Sequence, residues 1–203
     1  MQFQVLVDGD PRPVEVAFGS ARELALVDRW RAPSAIRSVR GVRDSIEFAR
    51  LASKRWRYYR KSISTATDLD LFRSIVTRDA RAEISLLLVA RANWFSRSPI
   101  LGLAQCRRTY CNHLILEFLS VHPAIVGGAI PRVRGVGAGL IYSLAEVAGL
   151  VGVPLIWGEA TQHSAPFYSK TCRLTQLADH FFIRAKSLAH CRKQFRTRAH
   201  GVA

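Results

Sequence analysis

No run of about eighteen uncharged apolar residues occurs in this chain, so no membrane span is expected. Its start, MQFQVLVDGDPRP, lacks a basic stretch leading into an apolar one, and no signal peptide is read there. Cysteine is sparse. The four cysteines, Cys106, Cys111, Cys172 and Cys191, form no C-x-x-C pair. That spacing gives a metal site no support and fits reduced thiols in a cytoplasmic protein. Acidic residues are also scarce: 15 Asp+Glu face 30 Lys+Arg, for a net charge of +15. Only five of the cations are lysines, at positions 54, 61, 170, 186 and 193. A field of this sign attracts nucleic acid, an acidic partner or a phosphorylated cofactor. A solvated, arginine-rich surface with no partner accounts for it equally well. There is no internal repeat and no low-complexity segment.

At 203 residues and 49% apolar, the chain can bury one substantial core. QFQVLVDGDPRPVEVAF reads as two short strands around a turn at Asp8-Gly9-Asp10-Pro11. The next forty residues are dense in arginine, including Arg29, Arg31, Arg37, Arg40, Arg43 and Arg50. SIEFARLASKRWRYYRKS has helical spacing and ends in cations interleaved with Trp56, Tyr58 and Tyr59. Those rings could stack on bases, but packing on the core under arginine stems is the favoured reading. DLDLFRSIVTRDARAEI carries a helical stripe of Leu71, Phe72, Ile75 and Val76. Three strand-length apolar runs follow at 84–92, 100–108 and 113–122, the last two joined by a hairpin at RRTYCN. A helix from about Val136 to Val151, a strand at 153–161, a short helix in APFYSKTCR and a final strand in DHFFIRAKSL complete the pattern. The basic tail HCRKQFRTRAHGVA is expected to fray. This order predicts an α+β fold around one mixed, mostly antiparallel sheet flanked by helices. Residues 1–83 read as a basic N-terminal region packed on a core formed by residues 84–203.

The stretch RVRGVGAGLIYSLAEVAGL, from Arg132 to Leu150, runs from arginines and glycines into an apolar helix. Such a turn offers unpaired backbone N–H groups and the positive end of a helix dipole, which suits a phosphate. The dinucleotide fingerprint G-x-G-x-x-G fails, because Leu140 stands at its third glycine. The Walker loop fails because no Gly-Lys occurs. Arg132-Val133-Arg134-Gly135-Val136-Gly137 resembles the R/Q-x-x-G-x-G/A motif of the GNAT superfamily of acyl-CoA-dependent N-acyltransferases. A second register, Arg134-x-x-Gly137-x-Gly139, also matches, but the first places Leu140 and Ile141 where the family's helix buries them. LEFLSVHP resembles the family's fourth strand, and LIWGEATQHSAPFYSK its fifth strand and following helix, with Phe167-Tyr168 as a hallmark pair. The resemblance covers roughly residues 84–188, about half the chain. The link AIVGGAIP is about six residues longer than in the family, Thr161 replaces a customary asparagine, and Ser164 a customary small residue.

What the resemblance implies is a GNAT-like fold in which an amine attacks the thioester of acetyl-CoA, or another acyl-CoA, directly. The amides around Val133, Arg134, Gly135, Val136 and Gly137 would hold the pyrophosphate, with Arg132 and Arg134 adding charge. Backbone near Leu119 and Val121 would pair with the pantetheine arm, Thr161 and Ser164 would line the cofactor, and Tyr168 would protonate the leaving thiolate. For the base, Glu117 lies inside an apolar strand where burial would raise its pKa, and strand alternation places it on one face with Leu119 and Val121. An ion pair with an arginine is the equal alternative for Glu117. Glu159, His122 and His163 are further candidates, and water alone could serve. Asp179-His180 is not expected to form a dyad, since neighbours on a strand face opposite ways. The amine could be a small molecule or belong to an acidic macromolecule such as an aminoacyl-tRNA. The alternative is a nucleic-acid-binding protein on a GNAT scaffold, working through Arg55, Arg57 and Arg60.

Overall fold

A computed structural model describes residues 1–34, 40–129, 131–175 and 177–199. Arg37 of the arginine-dense segment, Ile130 of the long link and residues 200–203 of the tail lie outside the described residues. The chain runs β1 (Gln2–Val7), β2 (Asp10–Phe18), α1 (Ala21–Val27), α2 (Arg40–Ser62), β3 (Ser64–Ala66), α3 (Leu69–Arg78), β4 (Ile84–Arg91), β5 (Ile100–Arg108) and β6 (His113–Val121). It continues with α4 (Pro123–Val126), β7 (Val133–Arg134), α5 (Val136–Leu150), β8 (Leu155–Glu159), α6 (Ala165–Cys172), β9 (His180–Arg184) and α7 (Ala185–Ala199). One nine-stranded sheet has the order β7-β1-β2-β4-β5-β6-β8-β9, with the short β3 parallel to β4. Every other pair is antiparallel except β6 with β8. The mixed, mostly antiparallel α+β fold expected from the sequence is the one observed.

Helices cover both faces of the sheet, which explains why ISLLLVA of β4 is apolar without alternation. Leu86, Leu88 and Ala90 face the larger core with α5, while Leu87 and Val89 face the smaller one with α1 and α2. Trp56 and Tyr59 of α2 are buried, as packing rings should be, whereas Tyr58 stands exposed. Helix α5 is apolar nearly all round because the sheet lies on one side of it and α7 on the other. Gly139 lets α5 approach the first strand: a Cβ there would sit 2.1 Å from the Phe3 ring. The second register of the glycine motif therefore ends on a packing glycine.

Two sequence expectations near the C-terminus are corrected. Strand β9 stops at Arg184, because Ala185 takes φ +44° and Ser187 Oγ accepts the Arg184 N–H at 2.9 Å. The tail is then ordered helix to Ala199. Leu188, Cys191 and Phe195 recur at helical spacing and pack on the larger core. Arg192 and Arg196 meanwhile donate to Glu146 of α5 at 3.2 and 3.3 Å.

Arg108 at the end of β5 is 1% exposed yet well satisfied. Its guanidinium donates to Ala82 O at 2.7 Å, Ala80 O at 2.8 Å and Asn112 Oδ1 at 3.0 Å, tying the α3–β4 loop to the β5–β6 hairpin. Arg108→Met should leave those acceptors unpaired and cost about 3 kcal/mol or more. A melting temperature lowered by roughly 6–12 °C in a thermal scan checks this, and an unchanged value refutes it.

Candidate functional site

Strands β6 and β8 are parallel neighbours over only three residue pairs, His113–Leu155 to Ile115–Trp157. They meet closely at Gly158, where a Cβ would lie 2.6 Å from the carbonyl oxygen of Leu116. Beyond that point they part, and a cavity of about 510 Å³ opens between them. One wall is β6 from Leu116 to Val121, and the facing wall comes from Glu159, Thr161, His163 and Ser164 with Phe167 and Tyr168 of α6. The N-terminus of α5, from Gly135 to Gly137, forms the inner end. Helix α2 closes the outside with Asp44, Ser45 and Phe48.

The sequence did not reveal a bulge in β6. Gln105 of β5 pairs with Phe118 but Cys106 pairs with Leu116, so Glu117 has no partner on β5. The extra residue reverses the alternation. Leu114 and Leu116 face the larger core, and after the bulge Leu119 and Val121 do so, while Phe118 packs in the smaller one. Glu117 therefore does not share a face with Leu119 and Val121. It points to α2, where Tyr59 Oη donates to its Oε1 at 2.7 Å, and Arg107 Nε of β5 donates to the same oxygen at 3.3 Å. Its Oε2 is buried without a hydrogen bond, 3.7 Å from Arg55 Nε. The arginine pairing weighed from the sequence is present, and Glu117 is still one of the residues lining the cavity. After the bulge, Ser120 Oγ donates to Ser45 O at 2.7 Å and Ser45 Oγ donates to Val121 O, which fastens α2 to the parted strand.

Gly135 caps α5 with φ +101°, a left-handed conformation that glycine adopts without strain. No side chain caps this end, so the amides of the first turn have no intrahelical acceptor. Gly137 leaves room against Phe167: a Cβ would sit 3.3 Å from its Cζ and 3.6 Å from Val121 Cγ2. Val133 and Arg134 form β7 on the edge of β1, and the Val133 side chain is buried. Arg132 and Arg134 line an adjoining groove with Leu6, Asp8 and Gly9 rather than the cavity itself. Thr161 and Ser164 are tied together ahead of α6, Thr161 N donating to Ser164 Oγ at 2.9 Å.

Tyr168 is 7% exposed and stacks on Phe181 at 4.1 Å between ring centroids. Burial pushes its phenol well above the ordinary tyrosine range, helped by Cys172 and Cys106 nearby. Tyr168 thus packs in the core and also borders the cavity. The longer link before Arg132 becomes the one-turn helix α4, whose Ile125 and Val126 form part of the cavity wall. Asp179 lies before β9 and its carbonyl accepts Ala160 N–H at 2.7 Å, while His180 begins the strand. In the aromatic-basic cluster of α2, Arg57 pairs with Asp28 and Arg60 lies over the Trp56 ring at 5.0 Å. No helix of the described residues is long and apolar enough to cross a membrane.

No protein-family model matches the sequence, and no curated protein matches it. Several solved structures are similar at low identity. The toxin AtaT bound to the C-terminus of the antitoxin AtaR is 13% identical, over 87% of this chain and 94% of that one, with TM-score 0.49. The PaiA N-acetyltransferase of Thermoplasma acidophilum, in complex with coenzyme A, is 14% identical over 83% of this chain and 96% of that one, with TM-score 0.46. Nourseothricin acetyltransferase is 21% identical over 43% of this chain with TM-score 0.35, and the match spans only 48% of its length.

His122, a further candidate base in the sequence, is a core residue and does not line the cavity. It is 6% exposed, wedged edge-on between Trp30 and Phe95 at 5.1 and 5.2 Å, and its Nδ1 accepts Ala124 N–H at 3.2 Å. Burial, with Arg97 nearby, lowers its pKa to about 4. An unfolded histidine titrates near 6.5, so the unfolded chain takes up this proton first as pH falls. The contribution of neutral His122 is complete above about pH 6.5 and is lost as pH drops toward 4. Its ceiling is about 3 kcal/mol, less after solvent screening. Denaturant titrations at pH 7 and 4.5 should show the wild type losing about 1–2 kcal/mol more than His122→Asn; parallel losses would refute this.

Proposed function

We propose that this chain is an acyl-CoA-dependent N-acyltransferase of the GNAT type, which transfers an acetyl group from acetyl-CoA to a primary amine by direct attack. One observation carries the reading. A single gap in the sheet gathers the uncapped turn Gly135–Gly137, the parted edge of β6 and Tyr168, from segments far apart in sequence. The amides of Val136 and Gly137, with the arginines at 132 and 134, supply donors for the pyrophosphate. Val133 anchors that turn to β1. The edge of β6 at Leu119 and Val121 offers backbone to the pantetheine arm, and the tied pair Thr161 and Ser164 lines the opposite side. The sheet thus holds the thioester where an amine entering past α2 and α4 can reach it.

The amine nitrogen bonds to the thioester carbon as the C–S bond breaks, and the electron pair leaves on sulfur. Burial keeps the Tyr168 phenol protonated at neutral pH. A thiol titrates near 8.5, below such a phenol, so Tyr168 stabilises the departing thiolate chiefly by donating a hydrogen bond. The amine must lose a proton to become a nucleophile. Glu117 is a residue of the cavity wall, and its Oε2, buried without a hydrogen bond, is the proposed acceptor. Glu159 and His163 border the same space. The substrate is a small primary amine or the amine end of a larger molecule. A nucleic-acid-binding role is the second reading, favoured by the charge of +15. Arg55, Arg57 and Arg60, its expected surface, each have a partner within the chain.

Calorimetric titration should give micromolar binding of acetyl-CoA to the wild type. Gly137→Asp, which crowds Phe167 and adds a repelling carboxylate in the first turn of α5, should abolish it. Tyr168→Phe should bind normally, keep its stack on Phe181, and lose roughly a hundredfold in kcat. Absence of any acetyl-CoA binding by the wild type would sink the enzyme reading. Salt-dependent RNA binding that survives Gly137→Asp would favour the alternative.

A further inference from the structure

Helix α7 has no place in the sequence motif, yet it delivers a cation to the cap of α5. A Cβ built on Gly135 would stand 3.1 Å from Arg198 Nη1. The Arg198 guanidinium lies 5.1 Å from the centroid of the Tyr142 ring, one face of which it covers, so α5 itself holds it in place. Its neighbours on α7 behave differently: Arg192 and Arg196 are both neutralised by Glu146. Among the described residues no carboxylate forms an ion pair with Arg198, Arg132 or Arg134. Asp8, in the same groove, is engaged with backbone, its Oδ1 accepting the Arg132 N–H at 2.8 Å.

We propose that Arg198 is a phosphate-binding residue, completing with Arg132 and Arg134 a cationic collar around the N-terminus of α5. The inference rests on the acyl-CoA reading and extends it to α7. Three guanidiniums without an acidic partner among the described residues, beside the uncapped first turn of α5, form a site for a doubly charged phosphate ester rather than for the neutral pantetheine arm. Arg198 is half-buried and pre-positioned on Tyr142, so little side-chain entropy is lost when an anion arrives. Gly135 then has two reasons to be glycine: its left-handed φ, and the room a guanidinium needs beside it.

The test measures dissociation constants of two thioesters, acetyl-CoA and S-acetylpantetheine, which carries no phosphate. Arg198→Gln should weaken acetyl-CoA about tenfold, about 1.4 kcal/mol, and leave S-acetylpantetheine unchanged. Arg198→Lys, which keeps the charge, should stay within about threefold of wild type. Arg196→Gln, two residues away in the same helix, should change neither ligand. Wild-type affinity for acetyl-CoA in Arg198→Gln would overturn the proposal. So would equal weakening of both thioesters, since that marks a structural role. If the wild type binds S-acetylpantetheine and acetyl-CoA equally, the collar is refuted while the acyl-transfer site stands. If it binds neither, the acyl-CoA reading itself has failed.

Discussion

The early end of the β6–β8 ladder is the constraint on which the rest of the molecule turns. Parallel strands need a crossover, and here the crossover is α4, β7 and α5. Three residue pairs hold the strands together, and Gly158 lets their backbones touch. Past it, the extra residue at Glu117 and the return of α5 at Gly135 force the two strands apart. A continuous ladder would have filled the middle of the sheet with backbone hydrogen bonds. Instead the edge of β6 and the first turn of α5 present polar backbone to one cavity. Their groups are costly to bury unpaired, and the cavity exposes them to whatever enters it.

Most of the fold could be read from periodicity. The continuous apolar runs of β4 and β5, and the all-round apolar α5, announced themselves because burial on two sides removes the need for alternation. The bulge at Glu117 could not be read. LILEFLSV alternates acceptably in either register, and only the pairing with β5 decides which residue is extra. Helix α7 was hidden by its own charge. The stripe of Leu188, Cys191 and Phe195 was a valid helical signal, but arginines and lysines surrounding it gave the segment the look of a solvated tail.

The candidate site was legible in part for the same reasons. Gly135, Gly137 and Tyr168 sit in segments whose local chemistry is distinctive, and the structure brings them to one cavity. Glu117 was legible as a carboxylate in an apolar strand, but its direction was not, because the bulge sets it. Arg198 lies far along the chain from the glycines it approaches, and no local pattern can report such a meeting. Arg107 shows the same limit: it bridges Glu83 and Glu117, two acids that belong to different strands and loops.

The edge pairing of β1 has a consequence for how the chain is made. Leu6 pairs with Arg134, so the first strand of the sheet receives its outer neighbour only after the whole segment between them has been made. At ribosomal rates of roughly 5–20 residues per second, that strand waits on the order of ten seconds with one row of backbone groups unpaired. Over that interval a nascent chain is open to pairing with its neighbours on a polysome. Asp8, Asp10 and Arg12, all exposed at the hairpin turn, put charge beside that edge, which discourages such pairing.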